Sequence, residues 1–409
     1  MKYAHLADLH LGAWKEDKMR DISAKAFLTA IKDCLNKEID FILFAGDLFN
    51  TSLPSIDTLK IVTRQLKELK EKNIPIYIIA GSHDYSPSGK TMLDVFEQAG
   101  LLINVCKGEV NPESKKLHLR FTVDQKTGAK ITGLLGRRGM LDRIYYENLY
   151  LENLENEAGY KIFMFHTTLT ELKPKHLENI ESHPLSFLPK RFNYYAGGHV
   201  HHPTLLEQPE YGTLTYTGAL FPNNFAEIER YGKGGYYLVE AKDGQQSISF
   251  IEIEVIKHLP IIINCHHQAP EEINSKILEL LKSSDLKDKL ITLRLTGKIE
   301  QGKISDINFR QIFQSAYDLG AYFVIRNTAQ LQSSIFEEIR IGSSFSMEEI
   351  ENKLIMEHLQ QIKIFDRETE LELTKALLNT INQSKREGET NIDFQDRIEK
   401  EMDLLLKFN

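Results

Sequence analysis

Cysteine is scarce in this chain of 409 residues. The three present, Cys34, Cys106 and Cys265, are widely separated, odd in number and without a CxxC pair. That pattern excludes a disulfide framework and a thiolate zinc site, and it implies a reducing compartment. Long apolar runs are missing too. Stretches such as Leu259 to Cys265 fall far short of the roughly 20 residues a membrane helix needs, and the N-terminus enters a strand with no basic-then-apolar leader. The expectation is a soluble, cytoplasmic protein with no membrane partner. An excess of one charge is absent from most of the chain. Of the net charge of -8, residues 331–409 account for -7, with 17 acidic and 10 basic side chains, so residues 1–330 carry only -1. A near-neutral body can still present a basic face, and the acidic average does not exclude nucleic acid.

What is present is ordinary globular composition, 42% hydrophobic and 26% charged, which rules out general disorder and fibrous repeats. The length suits two or three domains of roughly 100–200 residues each. The first 80 residues alternate β-rich runs with amphipathic stretches. Lys2–Ala7, Phe41–Ala45 and Ile74–Ala80 read as strands, whereas Phe27, Ile31 and Leu35, then Ile56, Leu59, Val62, Leu66 and Leu69, repeat at helical spacing. Strand, helix, strand in alternation predicts α/β architecture with a parallel sheet. Beyond residue 100 strands come closer together, at Leu117–Val123, Lys130–Leu135, Tyr160–Phe165, Tyr194–Ala196, Leu214–Thr217, Tyr236–Val239 and Ser247–Ile256. A mixed sheet or two-sheet sandwich flanked by helices is expected. Leu259 and Pro260 read as a boundary, and residues 271–330 as a smaller α/β unit. Gly342–Ser346 reads as a linker, followed by an acidic helical tail whose start carries a capping box, Ser346 with Glu349. The resulting organisation is 1–256, 257–335 and 336–409. Ile398, Met402 and Leu405 give the tail a narrow apolar stripe, too little for a core of its own, so it is expected to dock on something.

The chemistry gathers at strand ends, where an open α/β sheet places its sites. Asp8 and His10 follow the first strand as ADLH, Asp47 follows the second as AGDLF, and Ser82, His83 and Asp84 follow the third as AGSHD. His166 ends KIFMFH, and His199 and His201 lie in AGGHVHH. Two aspartates and four histidines, with His83 in addition, are thereby expected at one sheet edge. Such a mixed imidazole and carboxylate set favours a transition metal over calcium or a lone magnesium. Its size suits two ions roughly 3.5–4 Å apart that share one carboxylate and brace an in-line phosphoryl displacement. A single histidine at a strand end is usually a structural hydrogen-bonding residue; five strand ends with the same chemistry are the signal. His202 should point away from the set, His266 and His267 lie outside it, and Asp84 is either a turn residue or an orienter of His83. The SGKT string at Ser88–Thr91 is not a phosphate loop, because the position that needs glycine is Asp84.

These five motifs in this order, ADLH, GDLF, GSHD, FH and GHVH, resemble the DxH, GD, GNHD, H and GHxH set of the calcineurin-like metallophosphoesterases. GDLFNTSLPS, YTGA and KGGYYLVE narrow the resemblance to SbcD and its archaeal and eukaryotic counterpart, Mre-eleven, nuclease subunits of a double-strand-break repair complex. The resemblance implies a four-layer α/β sandwich with a smaller capping domain and C-terminal helices. It implies one metal held by Asp8, His10, Asp47 and His201, a second held by Asp47, position 82, His166 and His199, and His83 on the scissile phosphate. It further implies two Mn ions (Mg or another divalent metal being possible), exonuclease action on duplex ends and endonuclease action on single strands. The implied partners are DNA bound without regard to sequence, an SMC-like ABC ATPase of the SbcC or Rad-fifty type on the tail, and a second copy through helices near 54–72. The setting would be a prokaryotic nucleoid.

Two positions depart from the family pattern. Ser82 stands where the motif has an asparagine amide, and Asn50 where a histidine commonly assists exonucleolysis, so the second metal is expected to be more labile. Phosphate contacts are expected from Arg137, Arg138 and Arg143; Lys60, Arg64 and Lys67 on one helix face are further candidates, although a solvated face explains the helix better. Two other functions remain open: a phosphatase or nucleotide phosphodiesterase on the same scaffold, and a DNA-end scaffold with a weakened metal centre.

Overall fold

The computed structural model describes residues 1–86, 89–333, 351–352, 355–356, 359, 365–386 and 389–406. The expected linker at Gly342–Ser346 and its capping box lie outside the described residues.

The chain begins with β1 (Lys2–Leu6), α1 (Asp17–Asn36), β2 (Phe41–Ala45), α2 (Ile56–Glu71), β3 (Ile76–Ile79), α3 (Met92–Gln98) and β4 (Ile103–Asn104). A small hairpin, β5 (Gly108–Val110) and β6 (Leu117–Leu119), precedes β7 (Thr122–Val123) and β8 (Lys130–Gly133). Next come α4 (Arg143–Glu147), α5 (Glu152–Glu155), β9 (Lys161–His166), β10 (Tyr194–Gly198), β11 (Thr204–Gln208) and β12 (Gly212–Tyr216). The sandwich closes with α6 (Phe225–Tyr231), β13 (Gly234–Lys242) and β14 (Gln245–Ile253). Then follow β15 (Lys257–Asn264), α7 (Pro270–Ser283), β16 (Lys289–Ile299), α8 (Phe309–Asp318), β17 (Phe323–Ser333), α9 (Arg367–Ile381) and α10 (Asn391–Leu406).

Two six-stranded sheets dominate, in the orders β14-β13-β1-β2-β3-β4 and β11-β12-β10-β9-β8-β7. Their central strands are parallel, as the alternation predicted; antiparallel strands close both edges of the second sheet and the β14 edge of the first, while β4 at its other edge pairs parallel with β3. The central strands are apolar on both faces because both faces are covered. Tyr3, Phe41, Leu43, Tyr77 and Ile79 pack against Ile131, Ile162, Met164, Tyr194 and Ala196 of the second sheet. The alternate residues Leu6, Ile42, Phe44 and Ile78 meet Ala26, Phe27, Ile31, Val62 and Leu66 of the helices. On the far side Phe163, Phe165, Tyr195 and Tyr216 meet Tyr146, Leu154 and Leu188. Period-two alternation along the strands thus sorts side chains into three cores, and the result is the four-layer α/β sandwich.

The described residues gather into two compact units. One comprises Met1–Ile263, Ser275–Leu295 and Asn308–Ala329; the other comprises Asn264–Asn274, Thr296–Ile307 and the described part of Gln330–Asn409. In the first, Leu290 joins the helix-side core, and the Lys18 ammonium donates to the Tyr322 carbonyl at 2.9 Å. In the second, α9 and α10 form a hairpin in which the Arg397 guanidinium donates to Glu389 at 2.8 Å and also to Gln383. Ile398, Met402 and Leu405 are half-buried on α10.

Two local expectations are corrected. Pro260 lies inside β15 rather than at a boundary. That strand is the edge of the sheet β15-β16-β17, and an exposed edge position tolerates the missing N–H. The run Leu117–Val123 is not one strand. Leu117–Leu119 pairs with β5 while Thr122–Val123 joins the second sheet, a split that the apolar pattern of a short run does not encode.

Candidate metal centre

Every motif of the five sits where a parallel strand of one sheet or the other ends. Asp8 and His10 leave β1, Asp47 leaves β2, Ser82 and His83 leave β3, His166 ends β9, and His199 and His201 follow β10. The turns that aim them are strained. Asp8, His10, Asp47 and His199 have φ of +50°, +42°, +52° and +86°, in the left-handed region that costs a residue with a Cβ about 1–3 kcal/mol each. Backbone hydrogen bonds hold the turns together: Asp8 N–H donates to Gly46 O at 3.2 Å and His10 N–H to Asp47 O at 3.0 Å.

Close approach of these turns depends on two glycines. A Cβ on Gly46 (φ +90°) would lie 2.2 Å from His166 Nδ1, and one on Gly81 would lie 2.2 Å from Asp47 Oδ1. Hence AGD and AGS: the glycine before each ligand is where a neighbouring ligand passes.

The side chains form overlapping groups: Asp8, His10 and His201; His10, Asp47 and His83; and Asp47, His166 and His199. His10 Nε2 lies 3.1 Å from His201 Nε2 and 3.6 Å from Asp47 Oδ2. His166 Nε2 lies 3.1 Å from Asp47 Oδ2, and His201 Nε2 lies 3.9 Å from Asp8 Oδ1. Asp8 accepts the His199 N–H through both oxygens, at 2.9 and 3.0 Å. Asp8, His10, Asp47 and His166 are buried, whereas His199 is exposed.

Charge balance inside this pocket rests on an ion pair. Burial works against a charged His166, but the Asp47 carboxylate beside it prevails and raises the imidazole to about 10. Asp47, for which burial alone would favour the neutral acid, is pulled far below the usual carboxylate range by His166. Asp8 is pushed up to about 6, chiefly by burial.

The donor set fits divalent cations. Inside the pocket the buried His166 Nε2 has only the Asp47 carboxylate, 3.1 Å away and without hydrogen-bond geometry, and two further nitrogens, His10 Nε2 and His201 Nε2, face each other at 3.1 Å. A buried polar atom without a partner is costly, and imidazole and carboxylate donors converging this closely are the usual answer to a transition-metal ion.

The ring nitrogens turned away from the pocket are also fixed. His166 Nδ1–H donates to the Ala45 carbonyl at 2.8 Å, and His201 Nδ1–H donates to Glu227 Oε1 at 2.9 Å. A carboxylate or carbonyl behind a ligating imidazole sets its tautomer and raises its basicity. Glu227 was missed in the sequence. Its spacing from Asn224, whose side chain accepts the Glu227 N–H at 3.0 Å, signals a helix start, but nothing local says that the carboxylate reaches back to residue 201.

Around His83 the outcome is mixed. Its Nδ1–H donates to the Asn50 backbone carbonyl at 2.8 Å, and its N–H donates to Asp47 Oδ1 at 2.7 Å. Asp84 does not orient the imidazole. Its buried carboxylate accepts the Gly81 N–H at 2.9 Å and the Phe49 N–H at 3.2 Å, because the two turns leave those donors without other partners. Burial, and secondarily Asp47, pushes this carboxyl up to about 7. Ser82 Oγ–H donates to Asp47 Oδ2 at 3.4 Å.

A cleft of about 400 Å³ opens beside His83, lined by Ser82, Tyr85, Arg137, Arg138 and Leu141 among others. Arg138 Nε–H donates to the Ser82 carbonyl at 3.2 Å, and its Nη2 lies 3.3 Å from His83 Nδ1. Arg137 sits over the rings of Tyr85 and Tyr145. Arg143 does not line the cleft; it pairs with Glu147 at 2.7 Å. Lys60, Arg64 and Lys67 share the exposed face of α2, outside the cleft lining, where Lys60 approaches Asp57 at 3.4 Å and Lys67 approaches Glu71 at 3.7 Å. His202 turns to the Tyr231 hydroxyl, 2.9 Å away.

A two-sheet sandwich that gathers aspartates and histidines from its strand ends defines a calcineurin-like metallophosphoesterase, and the calcineurin-like phosphoesterase family model matches residues 1–203. The relatives make the placement narrower. The chain is 29% identical over 398 residues to the DNA double-strand break repair protein Mre11 of Methanocaldococcus jannaschii, covering 93% of this chain and 96% of that protein. It is 27% identical to the Archaeoglobus fulgidus protein of the same name, over 76% of this chain and 72% of that one. It is 24% identical to the SbcD component of nuclease SbcCD from Staphylococcus saprophyticus, over 66% and 74% respectively. The chain carries a calcineurin-like phosphoesterase domain and is similar over most of its length to the Mre11 and SbcD proteins. Among the described residues no helix is long and apolar enough to cross a membrane.

Proposed function

We propose that the protein is a DNA nuclease subunit that hydrolyses phosphodiester bonds at a centre of two divalent cations, manganese in the first instance. The observation that carries this reading is the convergence of Asp8, His10, Asp47, His166, His199 and His201 beside His83 and an arginine-lined cleft. Asp8, His10, Asp47 and His201 would hold one ion, and Asp47, His166, His199 and the Ser82 hydroxyl the other. The ions would supply Lewis acidity at the phosphate and an acidified water.

The chain's own groups do the rest. His83, its Nδ1–H committed to the Asn50 carbonyl, keeps Nε2 for the scissile phosphate and the leaving oxygen. Arg138, tied to the Ser82 carbonyl, sets a permanent positive charge next to that imidazole, where a phosphate backbone would approach. The cleft presents two arginines, Arg137 and Arg138, whose charge suits a phosphate backbone of any sequence, which supports sequence-independent binding of duplex ends and single strands. The names of the relatives support a place in double-strand-break repair. Residues 257–335 would cap the DNA, the C-terminal tail, residues 336–409, would dock on an SMC-like ABC ATPase, and α2, with Leu53 and Ile56 exposed at its start, would serve a homodimer.

The test uses end-labelled linear duplex and circular single strands with Mn or Mg. His83→Leu should lose cleavage by at least about 100-fold, the usual worth of a positioned acid or base, while DNA binding stays intact. Rapid turnover of p-nitrophenyl phosphate by the wild-type chain with no cleavage of DNA, with or without the ATPase, would refute the nuclease reading.

A further inference from the structure

The carboxylate behind His201 belongs to a short helix that is braced from its other side. In α6, Glu227 accepts from His201 Nδ1–H at 2.9 Å, and its second oxygen accepts the Asn223 N–H at 2.8 Å. Two residues along, on a different side of the helix, Glu229 meets Arg294 of β16. That contact is bidentate. Arg294 Nε–H lies 2.8 and 2.9 Å from the two Glu229 oxygens, Nη2 lies 2.8 Å from Oε2, and the side chains are only 15% and 19% exposed. The same guanidinium stacks over Phe225, the first residue of α6, 5.1 Å from its ring centre. The helix ends at Gly232, left-handed at φ +68°, where a Cβ would stand 3.4 Å from His258 Nδ1, and the other nitrogen of His258 is 2.8 Å from Thr292 Oγ1. The Glu227 side of α6 therefore faces the metal centre, while Phe225, Glu229 and Gly232 lie against residues of β15 and β16.

We infer that Arg294 is a positioning residue for the metal centre: by clamping Glu229 and Phe225 it fixes α6, and α6 fixes the Glu227 carboxylate that orients His201. The inference rests on the metal-centre reading above. An Arg fork on a carboxylate fixes direction as well as distance, which a lysine point charge does not. Removing the carboxylate or carbonyl behind a ligating histidine typically weakens metal binding 10- to 100-fold, so a clamp acting through that carboxylate should move affinity by the lower part of this range.

The experiment is manganese binding to the full chain, followed by calorimetry and by the electron paramagnetic resonance of bound Mn, with melting temperature recorded for every variant. Glu227→Gln and Arg294→Met should each weaken one of the two Mn sites about tenfold and leave the other unchanged. The two changes combined should weaken it no more than Glu227→Gln alone, because they act on one imidazole. Arg294→Lys should recover little. The charge exchange Glu229→Arg with Arg294→Glu should restore much of the affinity, and it answers the concern that Arg294→Met unfolds the small sheet. A Lys2→Met variant, which breaks the unrelated 2.8 Å pair with Glu240, should leave both Mn affinities alone. If Glu227→Gln weakens one site and Arg294→Met binds two Mn ions as the wild type does, the clamp is overturned and the metal centre stands. If the wild-type chain takes up no Mn, both fall.

Discussion

Replacing Gly46 by alanine tests whether the site is assembled by close approach of turns. Two effects can be separated. Gly46 has φ +90°, and an alanine there costs about 1–2 kcal/mol from the left-handed backbone alone. The added Cβ would also lie 2.2 Å from His166 Nδ1, 2.7 Å from its Cγ and 2.9 Å from the Gly81 Cα. None of these is the loose end of a flexible chain. His166 is fully buried and its Nδ1–H donates to Ala45 O, so the ring must move and break that bond, which adds about 1–3 kcal/mol. The sum is about 2–5 kcal/mol, or a fall in melting temperature of roughly 4–20 °C at the 2–4 °C per kcal/mol typical of larger domains. Gly244→Ala provides the control. That glycine, in the β13–β14 turn, has φ +78° and nothing within 4 Å of its Cβ position, so only the backbone cost of about 1–2 kcal/mol applies. Calorimetric melting of both variants, with Mn binding measured in parallel, reads the difference. Equal melting shifts, or a Gly46→Ala protein that binds both Mn ions as tightly as wild type, would refute the idea that the AGD glycine exists to let His166 pass.

Two further outcomes are expected. His166 carries a proton at neutral pH because Asp47 raises it to about 10, and a cation binding both residues must expel that proton. Mn affinity should therefore rise as pH climbs between roughly 6 and 10, and the heat of binding should scale with the ionisation enthalpy of the buffer near pH 7; an affinity flat across that range contradicts the ion pair. Ser82→Asn, which restores a longer amide ligand in place of a hydroxyl that donates to Asp47 at 3.4 Å, should tighten the weaker Mn site several-fold, and a wild-type titration showing two equally tight sites would remove the premise.

The sequence by itself determined the scaffold and the neighbourhood of the chemistry. Strand and helix alternation over the first 80 residues is a local signal, period two against period 3.6, and it carries over directly into β1–β3 and the helices between them. The Asp and His motifs stand immediately after apolar runs, so their position at strand ends is also local. Aim is not local. Four of those residues adopt left-handed backbone, which is uncommon for any residue with a Cβ although Asp and His enter it more than most, and the turns are kept there by contacts such as Asp8 with residue 46 and His199 with residue 8. Only the tertiary structure decided that Asp84 serves the backbone amides of Phe49 and Gly81 while a carbonyl, Asn50 O, holds His83. It decided likewise that Arg138 reaches His83 across 55 residues while Arg143, five positions on, turns to Glu147. Glu227 and Arg294 are 26 and 93 residues from His201, and each reads in sequence as an ordinary charge on an ordinary helix or strand. Which way a long side chain points depends on what is packed beside it, and packing partners this far apart in the chain meet only once the two sheets, α6 and the small C-terminal sheet have closed around one another.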